Sequence, residues 1–136
     1  MRFYKKFSMK NFKTNFFFLR LPIAISLLGH GLVRLPKLPA FSNWMLSTME
    51  KSIIPDFLLI PFSYVFPILE FLIGLSLLIG FRTKYSIYAG LFLMSIFILG
   101  SSSVENWGAI ETQLLHAAYL GGLLLFYEKH QNNVNH

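Results

Sequence analysis

Glu70 lies inside an apolar run, residues 57–80, that is long enough to cross a bilayer. A carboxylate at the centre of a membrane helix costs roughly 2.5–3.5 kcal/mol on insertion scales. A group that expensive is paired, protonated or used, so its partner is the first question the sequence raises. Arg20, His30 and Arg34 stand on an earlier apolar run, and Gln113 and His116 on a later one. At a rise of about 1.5 Å per residue, the first run centres near Ile25, with Arg20 ~7 Å to one side and His30 as far to the other. Arg34 then falls near the outer interface and Glu70 near the midplane. His116 falls ~5 Å outward of the centre of its run, with Gln113 and Glu111 beyond it.

On these depths Arg20 is the natural partner of Glu70. Its long side chain reaches either up to the carboxylate or down to the inner interface. The pair serves the fold alone, or it also lines a ligand site; the third option is a protonated Glu70 bonded elsewhere. His30 and His116 have similar depths on separate helices. They either line an outward-opening polar pocket with Gln113, Arg34 and Glu111, or each bonds a backbone carbonyl between helices. A bis-histidine b-type haem would use the same geometry, but no further haem feature is visible, so haem b is the disfavoured use. Pro67, three residues before Glu70, frees the carbonyl of Ser63. That suits a binding site or a plain kink.

The elements that must hold these residues are membrane helices. Of 136 residues, 54% are hydrophobic and 13% charged, against about 25% charge in a soluble domain. Four apolar runs, residues 16–35, 57–80, 85–103 and 110–127, match the ~20-residue length of a spanning helix. The expectation is an all-α, single-domain four-helix bundle over residues 16–128. A basic arm, 1–15, precedes it and a disordered tail, 129–136, follows. The first run is read as a retained helix: its basic leader is long, Arg20 interrupts it, and no cleavage site follows Gly31. There is no cysteine, which excludes disulfide exchange, iron–sulfur ligation and covalent haem attachment. The net charge of +6 does not imply nucleic-acid binding, because Arg2, Lys5, Lys6, Lys10 and Lys13 cluster before the first span. That cluster is an orientation signal and suits an anionic lipid surface.

The second and third spans are joined by the basic Phe81-Arg82-Thr83-Lys84, while the loop at 101–109 carries Glu105 and no Lys or Arg. Both termini are therefore expected in the cytoplasm. Phe41, Trp44, Met45, Met49 and Ile53 recur at helical spacing, which predicts a short amphipathic helix in the outer interface. The third span is almost purely apolar and reads as structural. Ser76 with Gly80, Ala117 with Gly121, and Ala118 with Gly122 are small-residue pairs that permit close helix approach.

Leu19-Arg20-Leu21 opens the first span and Gly29-His30-Gly31-Leu32-Val33-Arg34-Leu35 closes it. The second carries Pro67-Ile68-Leu69-Glu70-Phe71-Leu72-Ile73-Gly74 and runs on through Gly80-Phe81-Arg82-Thr83. This pattern resembles the DoxX family of small four-helix membrane proteins, over about residues 19–127. The resemblance implies a bacterial cytoplasmic-membrane protein tied to respiratory or sulfur redox chemistry, with relatives that anchor redox enzymes. It implies Arg20, Glu70 and residues 29–34 as the family-like positions. The resulting expectation is an anchoring subunit that serves a redox-active protein partner and holds a quinone-like ligand. Donors for the quinone carbonyls would be His30, His116, Gln113 and Arg20. The alternative is a purely structural assembly subunit. Catalysis by the chain alone ranks last.

Overall fold

The computed structural model describes residues 11–135, apart from the side chain of residue 133. Arg2, Lys5, Lys6 and Lys10 of the basic arm lie outside the described residues, as does His136. The chain forms α1 (Phe12–Arg34), a 3-10 turn (Leu35–Lys37), α2 (Leu38–Thr48), α3 (Asp56–Ile79), α4 (Thr83–Ser103) and α5 (Trp107–Val134). Prolines punctuate the first half. Pro36 sits in the 3-10 turn, a proline opens α2, and Pro55 precedes α3, because a proline ring restricts the residue before it and cannot donate to the preceding turn. Gly80, at φ +76°, closes α3 in the left-handed conformation that costs glycine nothing.

Four helical stretches are long and apolar enough to cross a membrane, and only 17–39% of each spanning window is buried inside the protein. Ile25, Val33, Ile60, Val65, Leu72, Phe92, Leu99, Leu115 and Leu125 all point outward. An apolar surface of that extent requires lipid around it, and the chain is a multi-pass membrane protein. α1 packs along α3 and α4 along α5, while α3 meets α4 and α1 meets α5. The other two pairings form the diagonals of a four-helix bundle. Ala24, Leu27, Leu77, Ile87 and Leu120 fill its centre.

The α1–α3 register is set by backbone contact. A Cβ on Gly31 would fall 2.6 Å from the Cβ of Phe71, and one on Gly74 would collide with the backbone of Leu28. The helices run antiparallel, so Arg20 stands beside Gly80, Gly31 beside Phe71 and Arg34 beside Glu70.

Three expectations change. The connection does form a helix, α2, but it ends at Thr48, and Ile53 is 93% exposed. It is also not confined to the interface. Buried Ser42 lies 2.6 Å from Ser63 Oγ, about 10 Å into α3, so α2 is a wall of the bundle. Ser63 donates to the Ile60 carbonyl and accepts from Ser42, which satisfies both hydroxyls. Second, α5 continues through most of the predicted disordered tail to Val134, and His130 stacks on Phe12 at 3.6 Å between ring centroids. Third, the close approaches lie at Gly31, Gly74 and Gly90, while Cβ atoms on Gly121 and Gly122 would meet nothing within 4 Å among the described residues.

Candidate functional site

Arg34 ends α1 and Glu70 sits at the middle of α3. Arg34 Nη1 donates to Glu70 Oε2 at 2.6 Å, with 5% of the carboxylate side chain exposed. The guanidinium also lies over the Phe41 ring, 4.6 Å from its centroid, a contact favourable for a cation on an aromatic face. Among the described residues no hydrogen bond reaches Glu70 Oε1.

The expected Arg20–Glu70 pair is therefore corrected. Arg20 is fourteen residues before Arg34, about 21 Å along the helix. Its Nε donates to the Leu77 carbonyl at 2.8 Å, and its guanidinium packs on Phe16 and Phe17. Leu77 is in the last turn of α3, whose carbonyls lack helical partners, and a cation there is favoured by the helix dipole. Arg20 caps a helix end. The depth assignment failed because it centred each span separately, whereas glycine contacts slide α1 along α3.

The histidines combine both expected readings. His30 Nδ1 is 2.7 Å from the Ser26 carbonyl and His116 Nδ1 is 2.8 Å from the Thr112 carbonyl, each four residues back on its own helix. A carbonyl only accepts, so both Nδ1 atoms carry protons. His116 Nε2 is then an acceptor in the neutral ring and takes the Ser26 hydroxyl at 2.9 Å. The two rings meet edge to face, 6.0 Å apart. Ser26 thus ties both histidines together, His30 through its carbonyl and His116 through its hydroxyl. His116 has no nitrogen left to offer. His30 Nε2 makes no hydrogen bond among the described residues, and His30 borders a cleft.

Gln113 Nε2 donates to Ser101 Oγ at 2.9 Å across the α4–α5 hairpin, while its Oε1 is buried without a partner. Glu111 is exposed and joins none of these contacts.

Of these groups, Arg34, Glu70, His30, His116 and Gln113 border one cleft of about 590 Å³, enclosed by α1, α2, α3, α4 and α5. Its walls are otherwise mostly apolar, with Phe41, Trp44, Met45, Phe62, Phe66 and Phe97 prominent and Thr48 and Asn106 among the further polar residues. The polar floor lies at Glu70 and His30; the opposite end reaches Ile54, Val104 and Asn106, in the connections that precede α3 and α5. A cleft of this size, apolar with few polar groups, has the make-up of a small-molecule site. Sequence reasoning named the polar set but missed α2 as a wall and Ser26 as the link. The signal for Ser26 was present: it lies one helical turn before His30.

Residues 14–109 match the family described as methylamine utilisation protein MauE. The chain belongs to the MauE family. That match spans α1 to the start of α5, so it includes His30, Arg34 and Glu70 and stops short of Gln113 and His116. The family is MauE and not DoxX, and what carries over from the resemblance is the small multi-pass membrane architecture. No curated protein and no solved structure matches this MauE-family chain.

Proposed function

We propose that this MauE-family protein is a membrane subunit that assists a redox system and binds a quinone-type ring carrier in the cleft beside Glu70. The observation that carries the reading is convergence. Arg34, Glu70, His30 and Gln113 come from three helices and face one apolar, aromatic-walled cleft. An aromatic ring with two oxygens fits that make-up: the ring packs against Phe and Met side chains, and the oxygens meet the few polar groups. The family's description ties MauE proteins to methylamine utilisation, which suits an accessory membrane subunit with a protein partner. The cleft has no catalytic thiol, since the chain has no cysteine.

Purification in mild detergent, followed by solvent extraction and mass spectrometry, tests this. The native protein is expected to carry a quinone-type lipid, and Glu70→Gln and His30→Ala to lose it with melting transitions retained. Retention unchanged in both variants would overturn the reading. A second reading, a purely structural assembly subunit, is favoured by one observation. Both nitrogens of His116 and one oxygen of Glu70 are satisfied within the protein, as an ion pair serving only the fold would require.

A further inference from the structure

Resting on the reading of the cleft as a quinone-type site, we infer that it selects the reduced, hydroxyl-bearing ring over the oxidised, carbonyl-bearing one. The polar groups at the floor of the cavity, around Glu70 and His30, decide it by which donors and acceptors they leave unused. His30 Nδ1–H is spent on the Ser26 carbonyl, so the neutral ring presents Nε2 as a lone-pair acceptor. Glu70 gives Oε2 to Arg34 and keeps Oε1 as an acceptor. Gln113 gives one of its two amide N–H groups to Ser101, and its Oε1 is fully buried rather than open to the cavity, so it adds no acceptor there. Two acceptors, from α1 and α3, therefore border the floor of the cavity. A quinone oxygen only accepts, so it pairs with neither of them, and burying it there would leave both unpaired. Buried unpaired acceptors are costly.

Among the described residues Arg34 is the one Lys or Arg beside the floor, and its remaining N–H groups suit either oxidation state. A hydroxyl, however, accepts from Arg34 while donating to Glu70 Oε1, so it satisfies both members of the ion pair at once. A carbonyl satisfies Arg34 alone. His116 does not shift the balance, because Thr112 and Ser26 hold both of its nitrogens. α2 and α4 bring no charged side chain to the cavity. The floor of the cleft is thus built for a donor. An aromatic diol is the ligand class that combines two donors with the flat apolar ring its walls accommodate.

The test uses the full chain in detergent under anaerobic conditions, with quenching of tryptophan fluorescence as the readout, since Trp44 borders the cavity. The probes are a short-chain benzoquinone, its hydroquinone and the dimethyl ether of that hydroquinone. The ether keeps the ring and both oxygens but has no donor. The hydroquinone is expected to bind about tenfold more tightly than the quinone, the equivalent of roughly one net hydrogen bond. The ether is expected to bind as weakly as the quinone, and His30→Phe to narrow the preference. Equal affinity for all three, or tighter binding of the quinone, would overturn the selectivity and leave the ring site standing. No binding of any probe would overturn both.

Discussion

Arg34 and Glu70 face each other at a point where the register of two helices leaves neither an alternative. Glu70 is almost wholly buried, whereas about a quarter of the Arg34 side chain is exposed, so the two ends of the pair are not equivalent when one is removed. Arg34→Ala leaves a buried carboxylate unpaired, a loss of about 3–5 kcal/mol for a buried pair. Glu70→Gln keeps a hydrogen-bond acceptor for the arginine and is expected to cost much less. A double-mutant cycle by thermal unfolding in detergent checks the partner: Arg34 and Glu70 are expected to couple by more than about 1 kcal/mol, and Arg20 and Glu70 to be additive within about 0.5 kcal/mol. The reverse result would restore the pairing that depth alone suggests. That Glu70 needs a partner was legible from the sequence, because burial in an apolar run is a one-dimensional property. Which arginine it takes was not, because that depends on how far α1 slides along α3. Ser26 shows the same division. Its spacing from His30 was visible, but its contact with His116, ninety positions away, exists only after the bundle closes. Ser26→Ala removes that hydroxyl and leaves the carbonyl that holds His30; the expected loss is about 1 kcal/mol in unfolding free energy.

The helices themselves were the most legible level. Each predicted span has a helix over it, and the ends differ by a few residues, most at the C-terminus of α5. Hydropathy reports the length of chain that lipid must surround, which is why it succeeds here. It does not report which small residues touch. The sequence offered several pairs of small residues, and the bundle uses Gly31, Gly74 and Gly90 instead of Gly121 and Gly122. The difference is measurable. At Gly74 an added Cβ meets the backbone of Leu28, which cannot rotate away, so Gly74→Ala should destabilise by about 1–3 kcal/mol, the range for overpacking. At Gly121 a Cβ meets nothing within 4 Å. Gly121→Ala should then be neutral, or stabilising by up to ~1 kcal/mol through helix propensity. Paired melting curves in one detergent decide it, and equal losses at both sites would contradict the α1–α3 register. α2 was legible as a helix and not as a wall. Its periodicity records that one face is apolar, and the same pattern serves a membrane surface or a groove between helices.

At the scale of the whole molecule the two ends differ in charge, and that difference sets which side of the membrane the cleft opens to. The closed end gathers Lys13, Arg20, Arg82, Lys84 and Lys129, with Lys84 held 3.3 Å from Glu128. The end with the cleft mouth carries Glu50, Asp56, Glu105 and Glu111 against Lys37 and Lys51, and exposes Trp44 and Trp107. Lys and Arg accumulate on the cytoplasmic side and Trp settles at the interfaces, so the closed end is expected in the cytoplasm and the mouth on the outer face. The lack of cysteine makes this directly testable. Lys51→Cys and Gly108→Cys place a thiol at exposed positions on the mouth end, and Lys129→Cys places one at the other. A membrane-impermeant maleimide added to intact cells is expected to label the first two, and to label the third only after permeabilisation. The opposite pattern would turn the mouth to the cytoplasm. The labelling therefore bears on more than topology, because under the proposed function it also identifies the face from which a redox partner would meet a ligand held beside Glu70.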